Sequence, residues 1–136
     1  MVYLDANVFV FAVLAKDELG DSARRILSKL KSLRARTCCL TMDELAWAVL
    51  RATDLATAIE ACRAILALTD LEFSAVEYGD IWRMTENMRS WGLGPRDAIH
   101  LAVMKRLGED TIVSEDTHFD GADVERLAIQ AFADSI

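Results

Sequence analysis

Four acidic residues stand where apolar sequence gives way to polar sequence. Asp5 follows Val2-Tyr3-Leu4, Glu44 comes after Thr37–Leu40, Asp97 follows Gly94-Pro95-Arg96, and Asp116 comes after Thr111-Ile112-Val113. Each has an ordinary use. Asp5 can N-cap the helix that follows it. Thr41-Met42-Asp43-Glu44 fits a capping box, in which the glutamate folds back onto the cap residue's N–H, and Asp43 is close enough to take either role. Asp97 gains about 0.3–1 kcal/mol from a helix N-terminus. Asp116 can bond the backbone of its own turn. The chemical alternative is that the four meet.

Four carboxylates cannot stay ionised close together without cations, because like charges a few ångströms apart repel strongly. Oxygen-only donors suit hard cations, Mg²⁺ or Mn²⁺. Such a site suits hydrolysis of a phosphodiester. The metal lowers the pKa of a bound water, orients the phosphate and stabilises charge on the leaving oxygen. Two ions about 3.5–4 Å apart would share these tasks; a single ion with a carboxylate-activated water is the other arrangement.

The elements around the acids make convergence plausible in physical terms. Val2–Leu4, Thr37–Leu40, Leu71–Val76, Thr111–Val113 and Leu127–Ile129 read as short strands. Between them, helical spacing of apolar residues predicts helices over Val8–Leu14, Ser22–Leu33, Leu45–Leu50 and Leu55–Leu68, and a longer one with Ile81, Trp82, Met84, Thr85 and Met88 toward the core. Trp47 and Leu50 are expected to pack in the core. Gly94-Pro95 sets the start of another helix. From Ala98 to Met104 every residue of it except His100 is apolar, so it is expected to be buried, with His100 a satisfied core histidine and His118 a turn residue. Alternating short strands and helices predict an α/β fold with a mostly parallel sheet covered on both faces. In a parallel sheet the strand ends share one edge, where ligands collect.

Composition narrows the classes. The chain has 136 residues, 53% of them hydrophobic, which suits one domain over residues 1–136. A net charge of −7 argues against a broad basic coat for nucleic acid. One local exception is the acid-free stretch from Ala23 to Cys39, which carries Arg24, Arg25, Lys29, Lys31, Arg34 and Arg36. It reads as a solvated helix face or as a contact for phosphates or an acidic partner. Cys38, Cys39 and Cys62 lack metal-site spacing and are expected to be reduced core thiols. The apolar run Val8–Ala15 is too short to span a membrane and lacks the basic flank of a signal peptide, so a soluble cytoplasmic protein is expected.

Several elements together resemble the PIN-domain proteins, and in particular VapC toxins of toxin–antitoxin pairs. They are Tyr3-Leu4-Asp5-Ala6-Asn7, Glu44 near a helix start, Arg96-Asp97-Ala98 at the head of the buried helix, and Ser114-Glu115-Asp116-Thr117-His118-Phe119, which is similar to the family's Ser/Thr-x-Asp-x-x-Phe element. The resemblance spans essentially the whole chain. It implies a three-layer α/β/α fold and an Mg²⁺- or Mn²⁺-dependent endoribonuclease. Its acidic quartet falls on Asp5, Glu44, Asp97 and Asp116. Its early polar residue and small hydroxyl residue fall on Asn7 and Ser114, which would orient carboxylates or metal-bound water. Asp120 resembles an additional acid of some members, and Arg96 is a candidate for holding phosphate or an antitoxin carboxylate. The resemblance also implies a homodimer and an antitoxin that covers the site, with RNA binding leaning on the metals and the Arg24–Arg36 run. Three other readings stand beside it: a phosphatase with Asp5 as nucleophile, a non-catalytic PIN-like scaffold, and a stand-alone RNA-processing nuclease.

Overall fold

The computed structural model describes residues 1–136. Its sheet is built from five short strands: β1 (Val2–Leu4), β2 (Ala35–Cys38), β3 (Leu71–Ser74), β4 (Thr111–Val113) and β5 (Glu125–Leu127). All neighbours pair in parallel, in the order β3-β2-β1-β4-β5. The chain builds outward from β1 through β2 to β3, then returns to the other side of β1 for β4. The crevice between β1 and β4 is therefore the topological switch point of the sheet, where open α/β folds place their ligands.

Successive side chains of a strand point to opposite faces, and the two faces have separate cores. Val2, Leu4, Ala35 and Val113 join one cluster with Val8, Phe9, Ala23, Ile26, Leu45, Val49 and Ile129. This layer holds α1 (Ala6–Leu14), α2 (Glu18–Ser28), α3 (Leu40–Ala52), α4 (Leu55–Leu66) and α7 (Ile129–Asp134). Tyr3, Cys38 and Ile112 point the other way, against Val103 and Met104 of α6 (Pro95–Arg106) and Phe119. α5 (Tyr78–Trp91) packs on α6. The result is the three-layer α/β/α arrangement expected from the sequence, with every strand parallel.

Several local expectations need correction. Thr41 does not cap α3: the helix begins at Leu40, and the Thr41 hydroxyl is buried against Thr37 Oγ1 at 2.7 Å. Glu44 consequently lies beyond the first turn, and its carboxylate is free for another partner. α2 starts earlier than expected, at Glu18, because Asp17 accepts from Gly20 N at 3.1 Å. On α5 the expected inward face is largely outward. Met84 packs under Leu93 and Leu101, but Ile81, Trp82, Thr85 and Met88 are exposed, because α5 rests on α6 and not on the sheet. Its one fully buried residue is Asp80, held by Arg106 at 3.0 Å. Trp47 is 49% exposed instead of buried. Of the cysteines, Cys38 is buried as expected and Cys39 is exposed. The last strand stops at Leu127, and Ile129 opens α7.

α5 ends at Gly92, whose φ of 67° is the left-handed conformation a helix C-terminus favours in glycine. Gly94 and Pro95 then start α6, with Pro95 in the first turn, where a missing N–H costs nothing. Ala98 and Leu101 through Met104 are buried, which fixes α6 against the sheet. No helix is long and apolar enough to cross a membrane.

Candidate metal centre

Asp5 is the first residue past β1, and its backbone N–H still donates to Val113 O of β4 at 3.1 Å. Its carboxylate does two jobs. Oδ1 accepts from Ala6 N at 2.8 Å, which caps α1, and Oδ2 accepts from Ser114 Oγ at 2.6 Å and Asn7 Nδ2 at 3.3 Å. Capping and pocket placement are thus compatible uses of one carboxylate. Asn7 Nδ2 also lies 3.1 Å from Ser114 Oγ, and that oxygen accepts from Asp116 N at 2.9 Å. Ser114 therefore ties the segment after β4 to the residue after β1.

The other acids arrive from helices and a turn. Asp97 is in the first turn of α6. Asp116 caps the short 3₁₀ turn Thr117–Gly121 by accepting from His118 N at 2.9 Å. Glu44 comes across from α3. Asp5, Glu44, Asp97 and Asp116 line one cavity of about 230 Å³, together with Asn7, Trp47, Arg51 and Arg96. Ser114 sits beneath it, fully buried. Asp120 lies elsewhere: both its carboxylate oxygens accept from Arg126, at 2.8 and 3.2 Å. Arg96 has a single charged contact, a loose one to Asp43 at 3.9 Å.

Within the cavity the acids form two groups. Donor atoms of Asp5, Glu44 and His100 lie within 4.8 Å of one another, as do those of Asp97, Asp116 and His118. Crowding shows in the acidities. Burial first, and then the neighbouring Asp116, push the Asp97 carboxyl up to about 7. Burial would raise Asp116 too, but the hydrogen bond with Asp97 and the N–H of His118 hold it below the usual carboxylate range. The two carboxyls are thus driven apart in acidity, Asp97 the weaker acid and Asp116 the stronger. Burial also raises Asp5, partly offset by His100 and Ser114.

His100 was expected to be a satisfied core histidine, and it is fully buried, but its partners belong to the site. Nε2–H donates to Glu44 Oε2 at 2.6 Å, Nδ1 pairs with Tyr3 Oη at 2.7 Å, and Nε2 is 3.8 Å from Asp5 Oδ1. Burial alone lowers its pKa; Tyr3, Cys38, Glu44 and Asp5 outweigh burial and raise it well above the usual value. His118 does sit in a turn, exposed, with Nδ1 3.0 Å from Asp116 Oδ1.

Two further residues belong to the cavity: Trp47, expected in the core, and Arg51, which no motif marks. Trp47 and Arg51 line the cavity, and with Glu44 they follow an i, i+3, i+7 spacing that puts all three on one stripe of α3. The basic run fares differently. Arg24 bonds Ala12 O and Ala15 O, Arg25 bonds Ala133 O and Ile136 O, and Arg36 pairs with Glu72 and Glu109. Lys31 and Arg34 stand beside Met1, Ala35 and Leu71, at the N-terminal ends of the strands. The run therefore serves packing or faces the sheet edge opposite the carboxylates. The run does not line the cavity, whose own cations are Arg51 and Arg96.

The donors of the cavity are carboxylate oxygens, with His100 turned toward Glu44. That set fits a hard divalent cation better than zinc, which wants thiolates and imidazoles. The sequence profile of the PIN domain matches residues 2–125.

The chain belongs to the PIN domain family.

No curated protein matches it by sequence. Among solved structures it is similar to VapC20 of Mycobacterium tuberculosis, a toxin described as cleaving the sarcin-ricin loop, with TM-score 0.76 and 18% identity over 91% of this chain and 96% of that one. It is also similar to a chain of VapBC2 from Rickettsia felis, solved on a promoter DNA fragment, with TM-score 0.71 and 18% identity over 94% and 98%. A chain of a toxin–antitoxin complex from Klebsiella pneumoniae matches with TM-score 0.67 and 14% identity over 95% and 98%. At these identities the likeness speaks to the fold, and this PIN domain's own residues must speak to its chemistry.

Proposed function

We propose that this PIN domain is a divalent-metal-dependent endoribonuclease of the VapC toxin type, restrained by a cognate antitoxin. The observation that carries the reading is the convergence of Asp5, Glu44, Asp97 and Asp116 on one cavity at the β1–β4 switch point. Asp5, Asp97 and Asp116 would hold Mg²⁺ or Mn²⁺, with Glu44 as the fourth carboxylate. When bound, the cation supplies Lewis-acid activation of water and charge stabilisation at the scissile phosphate.

The chain's own residues do the rest. Ser114 and Asn7 hold Asp5 Oδ2 in one orientation by donating to it. His100 does the same for Glu44, and Tyr3 fixes the imidazole from behind. With the Asp97 carboxyl raised to about 7, protons and metal compete for its oxygens near neutral pH. Arg51 and Arg96 give the cavity rim positive charge to meet a phosphate that the acids would otherwise repel.

Structural likeness to chains from toxin–antitoxin complexes supports an antitoxin partner, and the homodimer rests on the resemblance to VapC toxins. The decisive assay incubates the purified protein with single-stranded RNA in Mg²⁺ and in Mn²⁺, beside Asp5→Asn. Cleavage by the wild type and none by the variant is the expected result. An inactive wild type in both metals would favour a scaffold, and undiminished cleavage by Asp5→Asn would discard the mechanism. A neighbouring reading frame for a small DNA-binding protein would identify the antitoxin; without one, an RNA-processing role gains.

A further inference from the structure

Trp47 and Arg51 are an unusual pair for an acidic protein to leave open beside an acidic cavity. They are four residues apart on α3, so their side chains neighbour each other along the helix. Trp47 is 49% exposed, and Arg51 is exposed with no ion pair or hydrogen bond. Both line the cavity of the carboxylates. A half-exposed indole offers π surface to a planar ligand, and a guanidinium without a partner offers an anion site. Trp82 and Trp91 are also exposed, but they lie on α5, away from that cavity.

We propose that Trp47 and Arg51 form a nucleotide subsite, in which Trp47 stacks one unpaired base next to the scissile phosphate and Arg51 pairs with the adjoining phosphate. The subsite rests on the nuclease reading, and it adds a substrate requirement: the nucleotide at this position must be unstacked from its neighbours. Stacking on one aromatic ring is sequence-tolerant, since every base has a π face. It favours single strands over duplexes, whose bases are already stacked. Arg51 supplies a sequence-independent phosphate contact at the cavity, which the Arg24–Arg36 run does not line.

The test uses fluorescence, which needs no turnover. A protein with Trp47 as sole tryptophan (Trp82→Phe, Trp91→Phe) and with Asp97→Asn to prevent cleavage is titrated in Mg²⁺. The probes are a single-stranded adenosine hexaribonucleotide and an abasic ribose-phosphate hexamer. Saturable quenching by the first and little by the second is expected. In the three-tryptophan Asp97→Asn protein, Trp47→Ala should weaken binding of the adenosine hexamer about 5- to 150-fold, the equivalent of one base stack. Trp47→Phe should restore most of the affinity. Arg51→Ala should weaken both hexamers alike and reduce the salt slope by about 0.7. Trp82→Ala should change nothing.

Equal quenching by the two hexamers, or unchanged affinity in Trp47→Ala, would overturn the subsite. So would quenching of Trp47 by a co-purified antitoxin with none by either hexamer, which would assign the surface to a protein partner. The two readings fail separately. RNA cleavage that Trp47→Ala leaves untouched sinks the subsite and keeps the nuclease. Base-dependent quenching by a protein that cleaves no RNA in Mg²⁺ or Mn²⁺ does the reverse.

Discussion

His100 Nε2 donates to Glu44 Oε2 across 2.6 Å, joining the centre of α6 to α3 through the floor of the cavity. The imidazole is fully buried, and its other nitrogen is 2.7 Å from the buried Tyr3 hydroxyl. Removing the Tyr3 hydroxyl leaves a buried nitrogen short of a partner, which costs about 1–3 kcal/mol. Removing the imidazole opens a hole and strands two polar partners, at about 3–5 kcal/mol. Urea unfolding should therefore rank Tyr3→Phe above His100→Ala in stability, with the wild type above both. If His100→Ala unfolds like the wild type, the chain from Tyr3 to Glu44 is not structural.

The proton on Asp97 predicts a pH dependence of metal-free stability. Its folded pKa of about 7 lies above an unfolded value near 3.9. Between those values the folded protein keeps a proton that the unfolded chain has lost. Asp97 thus favours folding most below about pH 4, and its contribution declines as pH rises to about 7, by at most about 1.4 kcal/mol per pH unit. His100, raised well above its usual value, loses its contribution only above the unfolded histidine pKa of about 6.5. Above about pH 4 and below about 6.5 the slope comes from Asp97, joined by Asp5, whose carboxyl burial also raises, and not from His100. Asp97→Asn should make that window shallower, leaving the part due to Asp5, raise metal-free stability at neutral pH, and abolish cleavage. Destabilisation by Asp97→Asn in EDTA at pH 7 would return this residue to a helix-capping role.

Metal binding should run the opposite way with pH. A cation competes with protons for the Asp97 carboxyl, raised to about 7, so affinity for Mg²⁺ or Mn²⁺ should rise from about pH 6 to 8 and level off above. Calorimetric titration at several pH values, in buffers of different ionisation enthalpy, would also count the proton released. An affinity flat across that range would show that Asp97 carries no proton to lose.

Much of this was legible in the chain. The parallel α/β class followed from short apolar strands between amphipathic helices, and Asp5, Asp97 and Asp116 stood out because each follows an apolar run or opens a helix. What stayed hidden were choices between partners of equal local merit. Thr41 and Glu44 have the spacing of a capping box, but Thr37 on the neighbouring strand offers the Thr41 hydroxyl a buried partner. The helix then starts two residues earlier, with Cys39 and not Thr41 at its cap position, and Glu44 turns to His100. The exposure of Trp47 was hidden for a related reason: its apolar character suits a core, and its place at the cavity depends on where α3 crosses the sheet. Periodicity on α5 marked an apolar stripe correctly but not what covers it.

Ser114 and Asp120 provide the sharpest contrast for mutagenesis, because both follow β4 and both carry a polar side chain. Ser114 Oγ donates to Asp5 Oδ2 at 2.6 Å and accepts from Asp116 N at 2.9 Å, so it holds two of the proposed ligands in register. Groups that orient metal ligands are worth about 10- to 100-fold in affinity or activity. Ser114→Ala should lower metal affinity and cleavage by that factor. Asp120 is committed to Arg126, and the Arg126 guanidinium also bonds Ser114 O at 2.9 Å. Asp120→Asn should leave cleavage within about twofold, since an exposed ion pair contributes little. A loss as large as that of Ser114→Ala would mean that Arg126 releases Asp120 to the cavity when metal and RNA arrive, and would restore Asp120 to the acidic set.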